Sequence, residues 1–590
     1  MIKTIATLAI GSLLIFSSVT LHAYDVPGRG VCADEALASE IPVRAKGLAD
    51  STVLFWLESS LQRVFPQSPA GQRQLLELYV ARGSRASFQV GFHNTIKDQV
   101  KVACTMSSAI QLSPVVRFVG LVPMRHFTTD VRPSELDGVG YLPGLVPEPL
   151  FPQTSADASP YETRSFWISL RIPADMRPGV HNFPVTVVVH KGKDSVTRNL
   201  QLRLHVSKLV LQPRRDFHVT HWWRGEATSI YFGMKMFSDD WWKHTRAQMK
   251  DLIDHGTDVA FVQNFFEFKV VVKQPCQMLI VNETSPGRYA FDWTVIKRFT
   301  DMCKELGFKK FEWAHLWLYW GVKTAMHVYT VKDGSYQLLW DPNLDGFSDT
   351  YVNFLKQFLP SFHDFLQEEN ILDDSYFHLS DEPYKEHIPN YKKARQLLHE
   401  LAPWMKVMDA LSDIEYGRQH LTDIPVPIIC SARAYVQEKI PHWVYFCTAP
   451  RDRWLNRFFD TPLPKIRMAG WLFYHFGAQG FLHWGYNHWH KLDTDEKADP
   501  YTNGSAHAYP GIPDGDPFVV YPGPDGPYDS IRWEVFAESL QDYAILQSAG
   551  IAPNDPLLSE LKGYDDFPKS EKWIEDALKK ILEGADEVGS

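Results

Sequence analysis

Cysteine is scarce: six occur in 590 residues, at positions 32, 104, 276, 303, 430 and 447, and none forms a CxxC pair. A disulfide-built scaffold and a cysteine zinc site are thereby excluded. Cys32 and Cys104 could pair within one domain in an oxidising compartment, but spacing leaves connectivity open. Basic excess is also missing. Sixty Lys and Arg against seventy Asp and Glu give a net charge of −10, and no Lys/Arg stripe stands ready to neutralise a phosphate backbone, so nucleic acid is not an expected partner. Beyond the N-terminus no apolar run reaches the roughly 20 residues of a membrane-spanning helix, and stable membrane insertion is not expected. The N-terminus itself has Lys3, an apolar stretch from Ile5 to Phe16 and a small residue at Ala23. That is the pattern of a signal peptide over residues 1–23, and it predicts a periplasmic or extracellular protein. Gly30-Val31 before Cys32 does not suit a lipid-attachment site.

The length fits two or three domains. From about Val43 to Val210, short alternating or β-branched runs are split by Pro, Gly and Asp, as in Phe166–Leu170, Val185–Val189 and Leu200–Val206. This predicts an all-β sandwich over residues 24–212. From 213 to 550 apolar strands alternate with helical segments, the pattern of βα units. Strands are expected at Phe217–Trp223, Asp258–Phe265, Lys309–Trp317, Tyr376–Ser380, Lys406–Leu411, Val426–Ser431, Trp443–Thr448 and Gly480–Trp484. They predict a (β/α)8 TIM barrel. Helices are expected at Asp239–His255, with Ser238 as N-cap, at Tyr351–Glu369, and at Ile531–Gln547. A helical segment closes the chain over residues 551–590. Two connections, Leu318–Ser348 and His490–Ser530, are far longer than barrel loops require and follow strands, which puts them on the face where barrel active sites are built.

The sharpest local feature is Tyr376-Phe377-His378-Leu379-Ser380-Asp381-Glu382-Pro383, an apolar strand that runs into two acids and a proline. A strand end can present both carboxylates to a cavity, while Pro383 stops the ladder. In isolation such a triplet equally serves as a solvated strand end or helix cap. Glycoside cleavage requires a proton donor and a group that stabilises an oxocarbenium-like centre, usually two carboxyls about 5 to 5.5 Å apart in retaining enzymes. Adjacent acids suit the substrate-assisted variant. There the sugar's own 2-acetamido oxygen attacks, one carboxylate holds the amide, and its neighbour is acid and base.

The motifs His221-Trp222-Trp223, Ser380-Asp381-Glu382-Pro383, Gly470-Trp471, Gly480-Phe481-Leu482-His483-Trp484-Gly485-Tyr486-Asn487, Tyr521-Pro522-Gly523, Ser530-Ile531-Arg532-Trp533-Glu534 and Gln541-Asp542-Tyr543 resemble those of glycoside hydrolase family 123. Its members are β-N-acetylgalactosaminidases. The resemblance runs from about Phe217 to Leu546. It implies a β-sandwich followed by a (β/α)8 barrel, no metal or cofactor, Asp381 as the residue that stabilises the amide and Glu382 as acid/base. The implied partner is a glycan or glycoconjugate with a terminal 2-acetamido sugar; oligomeric state is not readable.

A sugar ring wants an aromatic floor with polar groups around it. The candidate substrate-binding residues are His221, Trp222, Asn264, His315, Trp484, Tyr486 and Asn487, with Trp484 and Asn487 the best fit, although large aromatics equally serve as core. His483, His488 and His490 lack carboxylates at metal-motif spacing. Arg532 and Glu534, two apart on a helix, do not share a face and should have separate structural partners. Asn282 and Asn503 sit in glycosylation acceptor triplets, relevant only in a glycosylating host. Two rival readings are an ordinary retaining glycosidase with Asp409 or Glu312 as nucleophile, and a carbohydrate-binding protein without turnover.

Overall fold

The computed structural model describes residues 52–588 apart from 267–271, 273–274, 319 and 508–510. The expected signal peptide and Cys32 lie outside the described residues. No helix among the described residues is long and apolar enough to cross a membrane.

The N-terminal part contains two five-stranded sheets. The first runs Val53–Ser59, Arg85–Asn94, Thr163–Arg171, Val115–Met124, Gly144–Phe151, antiparallel throughout. The second runs Leu75–Arg82, Asp194–Val210, Gly179–Lys191, Val100–Thr105, Ser155–Ala158, with the first pair parallel. Alternation decides what is buried. Phe183, Val185, Val187 and Val189 of one sheet join Phe88, Val90, Phe166 and Ile168 of the other in a shared apolar cluster. The first sheet is covered on both faces, which is why Phe166–Leu170 reads as a nearly continuous apolar run. Its second face carries Trp167, fully buried in the large core, and the cations Arg85 and Arg117.

Those cations meet the 531–548 helix. Glu534 accepts from Arg85 Nη2 at 2.5 Å and from Arg117 Nη2 at 2.6 Å, and Arg532 Nε donates to Glu148 at 2.6 Å with both side chains fully buried. The separate partners expected for Arg532 and Glu534 are therefore Glu148 on one side and two arginines on the other. The helix is buried almost all round, as befits an element between two layers. The closing helix Glu571–Val588 docks on the first domain, where Ser207 Oγ donates to Asp586 at 2.6 Å.

The part that follows is mixed α/β. Six parallel strands form one sheet in the order Ser375–Phe377, Lys310–Trp313, Val259–Val262, His218–His221, Gly480–His483, Val444–Tyr445. Met408–Asp409 and Ile424–Pro425 form a separate two-stranded parallel ladder. The expected full barrel is thus present as a six-stranded parallel sheet and a short pair. Pro425 and Pro427 explain the shortness, since neither has an N–H to give to a ladder. Isolated parallel bridges connect Phe377 to Val407 and Ile428 to Tyr445. Ser238 caps the helix Asp239–Asp254, and Ser348 caps Asp349–Glu368, whose Phe354, Phe358 and Phe362 pack toward the sheet. The long connections carry hairpins: Tyr329–Lys332 with Ser335–Leu338, and Val520–Gly523 with Gly526–Asp529.

Candidate active site

Period two along each strand sorts side chains between the sheet's inner layer and the helices. Trp222, Phe261, Ala314, Tyr376, Met408, Ala410, Val426, Tyr445 and Leu482 share one inner cluster, with Trp484, Ile428 and Cys447 at its edge. Trp223, Val262, Trp313, Phe377, Leu379 and Phe481 belong to the outer core.

Inside, the charged groups are spent on one another. Glu312 is fully buried and accepts from Trp222 Nε1 at 2.7 Å and His378 Nε2 at 2.6 Å, and also from the Thr220 hydroxyl. His378 Nδ1 lies 3.2 Å from Asp409, which takes the Leu379 N–H at 2.9 Å and the Tyr391 hydroxyl at 2.7 Å. Burial alone would push His378 down, but hydrogen bonds and charge from Asp409 and Glu312 raise it to about 10. The group is an imidazolium between two carboxylates, set three residues before the acid pair. His315 stacks 4.5 Å from His378, and His315, His378 and Asp409 bring ligand-type atoms within 4.8 Å of one another. A metal there would have to break the Glu312–His378–Asp409 bonds.

Past this layer the chain has left the strand Ser375–Phe377. Ser380 Oγ donates to the Leu318 carbonyl at 3.0 Å, and Trp320 N–H donates to the Asp381 carbonyl at 3.0 Å, tying the long 318–348 connection to the pair. Asp381 and Glu382 are partly exposed and Pro383 is buried. Glu382 has φ +43°, a left-handed conformation rare for a residue with a Cβ and rarer before proline. Such strain, of about 1–3 kcal/mol, persists where surroundings impose it and clusters at functional sites. The Glu382 carboxylate accepts from Tyr445 Oη at 2.6 Å, and the Tyr445 hydroxyl is itself held well above its ordinary range by burial and by Glu382. Trp320 and Tyr384 are exposed beside the pair.

Tyr445→Phe should therefore lower kcat/KM about tenfold or more without loss of fold, because a hydrogen bond to a charged group contributes about 1.5–3 kcal/mol. Steady-state kinetics beside circular dichroism check this, and an unchanged kcat/KM would remove Tyr445 from the site.

A model of the glycoside hydrolase 123 catalytic domain matches residues 222–549, more than half of the chain. The chain belongs to glycoside hydrolase family 123. It is a glycoside hydrolase, which sets aside the reading as a binding protein without turnover. Among solved structures this family 123 chain is similar to a family 123 glycoside hydrolase from Clostridium perfringens, studied for glycolipid glycan hydrolysis. That match has TM-score 0.69 and 16% identity and covers 91% of this chain and 98% of that one. At that identity the likeness is one of fold. A β-glucuronidase of Parabacteroides merdae matches with TM-score 0.30 and 10% identity over 77% of this chain and 50% of that one. A Bacteroides uniformis β-glucuronidase matches with TM-score 0.28 and 11% identity over 82% and 52%. No curated protein matches the chain.

The family 123 site brings together only some of the expected residues. Trp222 faces the inner layer, pinned to Glu312, and His315 packs edge-on against it at 5.5 Å. Asn264 accepts the Ala314 N–H at 3.0 Å, and its buried Nδ2 has no protein acceptor among the described residues. Trp484 is half-buried at the edge, its indole N–H on Asp516 at 2.9 Å. Three of the expected residues lie away from the inner layer. His221, next to Trp222, must face outward by alternation, and it lies against Trp533 and Phe536 of the 531–548 helix. Tyr486 is fully buried with its hydroxyl on Asp251 of the 239–254 helix at 2.7 Å. Asn487 is buried and clamps the Arg224 backbone, accepting its N–H at 2.8 Å and donating to its carbonyl at 3.0 Å. Tyr486 and Asn487 bond their side-chain polar atoms within the protein, and His221 Nδ1 lies 2.9 Å from Thr257 Oγ1 while its Nε2 has no hydrogen-bond partner among the described residues. Sequence reading missed Tyr445, which alternation between Trp443 and Cys447 would have turned inward with them. It also missed His378 as the link between Glu312 and Asp409, for which a lone histidine in an apolar strand gave no signal.

Proposed function

We propose that the protein is an exported, exo-acting, retaining glycosidase that releases terminal β-linked N-acetylgalactosamine by substrate-assisted catalysis. The observation that carries this is the adjacent Asp381–Glu382 pair just past the strand Ser375–Phe377, with Glu312 and Asp409 of the inner layer already engaged by His378. Glu312 and Asp409, the alternative nucleophiles, are buried and bound to His378, so neither is available to attack an anomeric carbon. In the first step protonated Glu382 gives its proton to the leaving oxygen as the C1–O bond breaks. The acetamido carbonyl oxygen bonds C1, and Asp381 accepts the amide N–H as positive charge grows on the ring. In the second step Glu382 takes a proton from water, whose oxygen attacks C1 and reopens the oxazoline ring with net retention. Trp222, Trp484 and the exposed Trp320 and Tyr384 supply aromatic faces for the sugar and its aglycone.

The parallel strands are read as one (β/α)8 ring, since the bridges at Phe377–Val407 and Ile428–Tyr445 link the short pair to both ends of the six-stranded sheet. The two five-stranded sheets are read as the preceding sandwich. The Clostridium perfringens enzyme's association with glycolipid glycans supports a glycoconjugate substrate here. The experiment is a comparison of nitrophenyl β-N-acetylgalactosaminide with nitrophenyl β-galactoside. The first should be cleaved and the second should not, because it lacks the nucleophile. Equal turnover of the two would end the substrate-assisted reading.

A further inference from the structure

Beneath the 531–548 helix, on the outer side of the strands His218–His221 and Gly480–His483, lies a cluster of buried polar groups that the glycosidase reading does not use. Arg457 enters it from the loop after the seventh strand, 1% exposed, and none of its three guanidinium nitrogens has a protein acceptor among the described residues. Its neighbours are aromatic. The guanidinium carbon sits 4.7 Å from the Phe536 ring centre, 5.8 Å from Phe446 and Trp533 and 6.0 Å from Phe481. The same rings surround two histidines. His221 contacts Phe481, Trp533 and Phe536, His483 contacts Phe446 and Phe481, and the two imidazoles lie 5.9 Å apart.

Donors outnumber acceptors here. His483 Nδ1 accepts the Gly485 N–H at 3.0 Å, so a neutral ring carries its proton on Nε2. That nitrogen, like His221 Nε2, makes no hydrogen bond to a protein atom. Burial holds both imidazoles well below their ordinary range, and nearby Arg457 adds to it. Asp516 Oδ1 lies 3.6 Å from His483 Nε2 and is itself without a hydrogen bond among the described residues. Asp516's other oxygen is taken by Trp484, and burial raises this carboxyl to about 7, so it balances the guanidinium only in part. Arg532 is already matched by Glu148 and by the carbonyls of Arg457, Gly515 and Phe518.

Burial, with Arg532 nearby, pulls the Arg457 guanidinium well below its ordinary range, but an arginine keeps its proton in proteins, and uncompensated burial of a charge is costly. Aromatic faces offset only part of that cost. Water would satisfy the N–H groups but not the charge. We propose that Arg457, His483 Nε2 and His221 Nε2, the last protonated with Nδ1 accepting from the Thr257 hydroxyl at 2.9 Å, form a buried site for a halide-sized anion, chloride in physiological media. Through Asp516 the site adjoins Trp484 at the edge of the sugar-binding layer.

The full chain crystallised in bromide should show an anomalous peak between Arg457 and His483. At constant ionic strength the melting midpoint should rise saturably, by about 2 to 5 °C, when gluconate is replaced by chloride. Arg457→Met should abolish that difference. Water without bromide at that position overturns the proposal, as do equal midpoints in the two salts. If Arg457→Met does not fold, the bromide peak and the wild-type titration decide between these outcomes. None of these measurements depends on the sugar cleaved.

Discussion

Glu382→Gln should lower turnover of substrates with poorly departing aglycones by about a hundredfold or more, the scale of a general acid/base contribution, while nitrophenyl glycosides suffer less at the bond-breaking step. A nitrophenolate leaves with little protonation, so the missing proton costs little there. Asp381→Asn should show a different pattern. Its carboxylate is assigned to the amide nitrogen of the attacking group, so its loss should slow ring closure for every aglycone alike. A series of aryl N-acetylgalactosaminides with graded leaving-group pKa separates the two, the slope steepening for Glu382→Gln and staying near wild type for Asp381→Asn. Azide should rescue no trapped glycosyl partner in Asp381→Asn, because no protein carboxylate forms a bond to the sugar. Identical slopes in both variants would show that the roles are misassigned.

The galacto-configured thiazoline, a stable sulfur analogue of the cyclised intermediate, should bind at least about a hundredfold more tightly than substrate, the lower end of what analogues of this type achieve. Asp381→Asn should lose much of that affinity, since the ring nitrogen is the group it recognises. Val187→Ala, in the shared core of the N-terminal sheets, should lose almost none. The gluco epimer should bind more weakly, because a pocket that hydrogen-bonds an axial 4-hydroxyl leaves polar groups unmatched when that hydroxyl is equatorial. Calorimetric titration of both compounds into wild type and Asp381→Asn reads all of these. Absence of galacto-thiazoline binding to wild type would count against the oxazoline route as a whole.

Much of this architecture is legible in the sequence, for identifiable reasons. The parallel strands announce themselves as apolar bursts because they are buried on both faces, and Ser238 marks a helix start because an exposed first turn needs an acceptor. The acid pair stands out because two charges at the end of an apolar strand have few structural uses. What the chain does not display is facing. His221 and Trp222 look equally suited to a sugar, and only the strand's pleat sends one inward and the other toward Trp533. Tyr486 and Asn487 fail for a related reason: the chain leaves the eighth strand at Trp484, so the period that holds up to that residue no longer predicts direction. The Glu312–His378–Asp409 chain joins residues from three strands spaced far along the sequence. No local pattern reveals that a buried histidine will be shared between two acids.

The seam at Glu534 bears on how this enzyme can be taken apart. Its carboxylate is balanced by Arg85 and Arg117 from the first sheet, and Arg532 by Glu148. A catalytic half cut free at residue 212 would keep a buried acid and a buried base whose counter-charges had left with the other half. Breaking such pairs costs about 3–5 kcal/mol each, a large share of the stability of a whole domain. The N-terminal sheets are therefore not an appendage that recombination could exchange for another binding module. The two halves should melt as one cooperative body, and a substitution that removes one charge of the seam should cost less when its partner is replaced with it.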